Sequence, residues 1–152
     1  METNDRDLVL VRTVKASPAK VYEAYTTPEL LKQWWAPKPF ETPEVEIDAR
    51  PGGRFMANME GPDGTRYPNE GVFLEALPGE RLVFTDAFTS GWVPNEAPFL
   101  TVVVTFEAVP EGTKITSLAR HGYMEAKKKH EEMGFFDGWG AAQDQLAGLV
   151  EA

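Results

Sequence analysis

The stretch "DLVLVRTVKA" alternates in polarity, setting Leu8, Leu10 and Arg12 against Val9, Val11 and, after a slip, Val14. Side chains on a strand point to opposite faces with a period of two, so this pattern predicts a β-strand at the start of the chain. Ser17 followed by Pro18 reads as a helix N-cap with proline in the first turn, and Val21, Tyr22 and Tyr25 then recur at helical spacing. Thr27 and Pro28 repeat the signal, predicting a second short helix from Pro28 to about Trp35, ended by Pro37 and Pro39. The two helices follow one another with a kink. Neighbouring helical positions point about 100° apart. Trp34, on a stripe with Leu31, is therefore assigned to the core, and Trp35 to the rim or wall of a cavity; the alternative for Trp35 is a partly covered ring on Pro37 and Pro39.

From Thr42 to His121 the turn sequences "PGG", "GPDG", "LPGE" and "PEGT" punctuate β-type runs: "EVEIDA", "RFMANME", "GVFLEAL", "RLVFTDA", "LTVVVTFEA" and "KITSLARH". These predict an antiparallel meander joined to the first strand, with Phe55, Ala57 and Met59 on one face and Val102, Val104 and Phe106 on one face. The segment Phe88 to Pro98 is too polar and too rich in Gly and Pro for a strand, and is predicted to be a long loop carrying Trp92. After Met124 a helical pattern runs to the end, with Phe135, Trp139, Ala142, Leu146, Leu149 and Val150 in a stripe. It reads either as one helix of about seven turns or as a helix starting near Phe135 after a loop or frayed turn. Gly134, Gly138 and Gly140 each cost a helix about 1 kcal/mol relative to alanine, which points to close packing or a bend.

This order of elements is α+β, β-α-α-β6-α, read as one domain over residues 1–152. A curved antiparallel sheet of seven strands would wrap the long C-terminal helix, burying the stripe on its concave face. Such a sheet curls more than one helix fills, so a gap is expected at one end.

Composition narrows the chemistry. The 152 residues carry a formal charge of −9, which repels phosphate backbones and anionic lipid headgroups, so neither nucleic acid nor membrane is an expected partner. The one basic cluster, Lys127 to Lys129, is followed by His130, Glu131 and Glu132, and reads either as a solvated helix face or as a local docking patch. The absence of cysteine excludes a disulfide framework, a thiol nucleophile and a thiolate metal site. Apolar stretches such as "FLTVVV" fall far short of the roughly 20 residues that span a bilayer, and the acidic N-terminus lacks a secretory pattern, so a cytoplasmic location is expected. There is no helical pair of zinc-binding histidines, no Ser-His-Asp order, no phosphate loop and no dinucleotide fingerprint. Neither metal nor cofactor is expected, and no catalytic residue can be assigned.

Four segments, "SPAKVYEAYTTPELLKQWW", "PGGRF", "GVFLEALPGERLVFT" and "GWGAAQDQLAGL", stand in this order over nearly the whole chain. Together they resemble the activator of Hsp90 ATPase homologue 1-like (AHSA1-type) family, within the START-like or Bet v 1-like (SRPBCC) helix-grip superfamily. The resemblance implies the same β-α-α-β6-α fold, with a cavity between sheet and long helix. It carries over no catalytic residue, because members share a shape while their tasks run from co-chaperone activity to aromatic polyketide cyclisation and lipid carriage.

The candidates for the cavity wall are Trp35, Phe84, Asp86, Phe88, Trp92, His121, Phe136, Trp139 and Gln143. Phe84, Phe88 and Trp92 cluster around the loop expected to close one mouth, as gate or as anchor. Trp139 is either a core anchor or a ligand contact, and the Gln143 amide, one turn beyond, either bonds within the protein or meets a ligand. His121 shares the parity of Ile115, Ser117 and Ala119, so it either points inward, to hold a polar group or act as a base, or caps the strand. Asp86 pairs with Arg120 or His121, or forms a surface salt bridge. Three functions follow as expectations: binding of a small hydrophobic or aromatic molecule, which is favoured; a polyketide cyclase or hydrolase-like enzyme using His121 and Asp86; and an interaction protein engaging an Hsp90-type chaperone. The oligomeric state is left open between monomer and homodimer.

Overall fold

Ser17 begins the first helix as its sequence suggests: its hydroxyl accepts a hydrogen bond from Lys20 N at 3.2 Å, with Pro18 in the first turn. The computed structural model describes residues 2–152. In chain order its elements are β1 (Asp7–Val14), α1 (Pro18–Thr26), α2 (Pro28–Leu31), β2 (Glu41–Ile47), β3 (Arg54–Glu60), β4 (Arg66–Tyr67) and β5 (Glu70–Leu77). There follow β6 (Arg81–Thr85), β7 (Phe88–Thr89), β8 (Val93–Pro94), β9 (Thr101–Val109), β10 (Gly112–Arg120), α3 (Met124–Glu132) and α4 (Phe135–Val150).

The main sheet runs β1-β10-β9-β6-β5-β3-β2, every neighbouring pair antiparallel, and the two-residue β4 also pairs with β3. These are the expected seven strands. The sheet curls as a half-barrel around α4, the helix-grip arrangement. Pro43 sits where the β2–β3 register shifts, on an edge strand, where a missing N–H is tolerated. Gly71 lies on β5 so close to β6 that an added Cβ would meet the Thr85 carbonyl oxygen at 2.0 Å, which reserves the position for glycine.

Several local expectations are corrected. The slip placed before Val14 does not occur: β1 pairs with β10 without interruption, and Leu8 and Val14 are buried on the same face. α2 stops at Leu31 instead of continuing to Trp35, and the chain goes on in turns, with Trp34 N and Trp35 N both donating to Leu31 O. Helical spacing therefore no longer separates the two indoles. Both pack on the main core, edge to face with ring centroids 5.6 Å apart. The Phe88–Pro98 segment, expected as a loop, forms a small ribbon in which β7 pairs with β8.

The C-terminal pattern is two helices and not one of seven turns: α4 starts at Phe135, as the second reading has it, but the helix α3 precedes it in place of a loop or frayed turn. The break falls at Gly134, whose φ of 92° is open to glycine and costly for other residues. That glycine supplies the bend. Close packing does not explain Gly138 or Gly140, since a Cβ at either would meet nothing within 4 Å. Along α4 the residues Phe135, Ala142, Leu146 and Val150 are buried against the sheet, with Trp139 and Leu149 partly so. Among the described residues no helix is long and apolar enough to cross a membrane.

Candidate binding site

The concave face of the sheet and the N-terminal half of α4 do not close on each other. Between them lies a cavity of about 520 Å³, within the size range of pockets that take small organic molecules. Period-two alternation brings Phe55, Ala57 and Met59 of β3, and Val102 and Val104 of β9, to its wall. Phe84 of β6 joins them, while Trp139 and Ala142 come from α4. The exposed residues Pro68, Asn69, Glu70 and Met133 mark the mouth. Trp35 stands in the wall, its ring 5.4 Å from Phe55 and 6.2 Å from Phe84.

The indole positions are fixed from two sides. Trp34 Nε1 donates to Ala24 O at 3.1 Å in the buried core. Gln145 of α4 staples the segment after α2: its Nε2 donates to Trp34 O at 3.1 Å and Ala36 O at 2.8 Å, and its Oε1 accepts from Lys38 N at 2.9 Å. One helical side chain thus satisfies backbone groups that turns leave without partners.

Most polar groups in the wall are committed. Asp86 accepts from Phe99 N at 2.9 Å and Leu100 N at 3.1 Å, tying down the segment before β9. Gln143 Nε2 donates to the Tyr25 hydroxyl at 2.9 Å, but its Oε1 is enclosed without a partner in a side chain only 6% exposed. Burial pushes the Tyr25 phenol up to about 12, with the bonds from Gln143 and Ser117 opposing the shift, so it stays a neutral hydroxyl.

His130, 8% exposed, also lines the cavity. Its Nδ1 is 2.9 Å from His121 Nε2, and His121 Nδ1 is 2.9 Å from Arg6 O. A carbonyl oxygen only accepts, so His121 Nδ1 carries a hydrogen. With both rings neutral, His121 Nε2 must then accept and His130 Nδ1 donate, which leaves His130 Nε2 as a bare acceptor. The His130 ring packs against Phe99, Phe135 and Trp139 at centroid distances of 5.0, 5.1 and 5.6 Å. Burial, and secondarily the neighbouring His121, lowers it to about 4.

Of the residues singled out from sequence, Trp35, Phe84, Asp86, Trp139 and Gln143 line the cavity. Phe88, Trp92, His121 and Phe136 are not among its lining residues. Phe88 and Trp92 pack on each other in the β7–β8 ribbon, with Trp92 52% exposed, so they anchor the ribbon outside the cavity wall. Phe136 faces outward because it follows the buried Phe135 by one helical position. His121 is buried, 5% exposed, but lies behind His130. The expected pairing of Asp86 with Arg120 or His121 is also corrected: Arg120 pairs with Asp7 at 3.0 Å, and His121 with Arg6 O and His130. His130 is not among the residues singled out from sequence; its spacing of four residues from the buried Ala126 marks the inner side of α3.

No curated protein matches the chain. Among solved structures it is similar to NE0264 from Nitrosomonas europaea, with 37% identity over 99% of this chain and 97% of that one, at a TM-score of 0.95. It is also similar to Ms6760 from Mycobacterium smegmatis, with 27% identity, coverage of 96% and 91%, and a TM-score of 0.82. The AHSA1-like protein from Aeromonas hydrophila, at 20% identity, coverage of 95% and 92%, and a TM-score of 0.73, shares the fold. The family described as activator of Hsp90 ATPase homolog 1-like protein matches residues 15–151. The chain belongs to the activator of Hsp90 ATPase homolog 1-like family, on the helix-grip fold of the SRPBCC superfamily.

Proposed function

We propose that this protein binds a small, largely aromatic or apolar molecule in the cavity between the sheet and α4. The observation that carries the reading is a cavity of about 520 Å³ walled mainly by Phe55, Phe84, Trp35, Trp139 and aliphatic side chains, with few polar groups left over. Apolar surface held open in this way loses both hydration entropy and packing contacts, and an apolar guest restores them. Among the described residues the hydrogen bond of His130 goes to His121 and not to a wall hydroxyl, and the Asp86 oxygens are occupied by backbone N–H groups, so binding fits the geometry better than turnover. Differential scanning fluorimetry and native mass spectrometry with a panel of aromatic compounds test the reading. Concentration-dependent stabilisation with one-to-one complexes supports it. The absence of stabilisation and of complexes across the panel counts against it.

Contact with an Hsp90-type chaperone is a second reading, favoured by the description of the matched family. It predicts co-purification with such a chaperone and a change in that chaperone's ATPase rate. Failure of both overturns it.

A further inference from the structure

The polar groups of the cavity are not evenly satisfied. Thr85 Oγ1 lies 2.9 Å from Thr101 Oγ1 and 3.3 Å from Leu100 O, and Asp86 is taken up by the backbone of Phe99 and Leu100. Asn95 Nδ2 donates to Asp86 O at 2.8 Å. Among the described residues of the wall, Gln143 Oε1 is enclosed without a partner and His130 Nε2 has no protein donor, both on side chains more than nine-tenths buried. An acceptor without a protein donor leaves hydrogen-bonding capacity unused, so the cavity is poised for a guest that brings a hydrogen-bond donor into a largely carbon-lined space.

We propose that the cavity selects a hydroxylated aromatic molecule whose hydroxyl donates to His130 Nε2, while His121 holds the His130 ring in the tautomer that leaves this nitrogen free. The proposal rests on the cavity-binding reading and adds the chemical class of the ligand. His121 acts here as a positioning residue, touching His130 and the Arg6 carbonyl. The chain of bonds has a fixed direction. Arg6 O accepts from His121 Nδ1, His121 Nε2 accepts from His130 Nδ1, and His130 Nε2 is the open end. The aromatic rings of Phe99, Phe135 and Trp139 pack around His130 and hold the imidazole in place. A neutral imidazole is the form that accepts, and the burial that disfavours its charged form keeps it neutral in ordinary buffers.

A matched pair of probes tests this: 2-naphthol, which carries the donor, and 2-methoxynaphthalene, which has the same ring system without it. Calorimetric titration at neutral pH is expected to show 2-naphthol binding about tenfold more tightly. In His130→Phe the preference disappears, the ratio of the two affinities falling to about one whatever their absolute values. Equal affinities in the wild type overturn the hydroxyl selectivity and leave the cavity reading standing. Failure of both probes to bind overturns both. The tautomer is read independently of any ligand. The chain has 2 histidines, so long-range proton–nitrogen NMR of the folded wild type resolves both rings. It is expected to show hydrogen on Nδ1 and none on Nε2 of each. In His121→Phe the His130 ring is expected to shift toward the Nε2-protonated form, which a merely structural role for His121 does not produce. A wild-type His130 with hydrogen on Nε2 overturns the proposal even if neither variant folds.

Discussion

Acidification should destabilise this fold through His130 before carboxylate protonation does. In the unfolded chain an imidazole takes up a proton near 6.5, whereas in the folded protein burial, chiefly, and the His121 ring hold His130 down at about 4. Between these values the unfolded state binds more protons, so stability is full above 6.5 and falls as pH drops toward 4. The complete shift has a ceiling of about 3 kcal/mol, and between about pH 7.5 and about pH 5 the part expressed is about 2 kcal/mol. Water entering the cavity reduces this, because Nε2 is the one ring nitrogen without a protein partner, so about 1–2 kcal/mol is the expected loss. The aromatic rings packed on His130 are Phe99, Phe135, Trp139 and His121, and of these four His121 is the titratable one. Urea unfolding at the two pH values measures the loss, and proton NMR of the ring Cε1–H gives the titration directly. His130→Phe should flatten the dependence over that window. A His130 resonance that titrates near 6.5, or a variant with the wild-type pH dependence, refutes the claim that desolvation controls this ring.

Gln145→Ala removes three hydrogen bonds to the segment after α2, and a loss of about 1–3 kcal/mol in urea unfolding is expected, with red-shifted tryptophan emission as Trp35 gains water. Trp34→Phe leaves Ala24 O without its donor and opens a void, for an expected cost of about 2–3 kcal/mol by chemical denaturation. Gly138→Ala should stabilise the protein by up to about 1 kcal/mol, because the new methyl meets nothing within 4 Å on a helix that prefers alanine. Gly71→Ala should do the opposite by about 3 kcal/mol or more, since its methyl would overlap the Thr85 carbonyl. Thermal melts of the two glycine variants run side by side check both, and a shift of the same sign in each contradicts the assignment.

The periodicities carried the seven strands of the main sheet and the stripe on α4, because both record burial on one face. They missed breaks that depend on one residue's backbone. Gly134 was visible as a glycine, but only its φ of 92° shows that it separates two helices. The tryptophan pair shows the same limit: helical geometry separates Trp34 from Trp35, yet α2 ends at Leu31 and both rings reach one core. At the cavity, Trp35, Phe84 and Gln143 were recognisable as apolar or polar residues next to buried stripes. Phe136 and Trp92 were as apolar, and face out because of a single helical step and a ribbon turn.

The sequence by itself determined which side chains must leave water, and therefore that an antiparallel sheet would curl over a C-terminal helix. Alternation and helical spacing are local properties, written every few residues and enforced by the hydrophobic effect. Only the tertiary structure decided which polar atoms end without partners. His121 and His130 meet because the end of β10 lies beside α3, and Arg6 O fixes the direction of their hydrogen bonds. A tautomer is a consequence of three groups brought together from separate parts of the chain, and no window of sequence contains it.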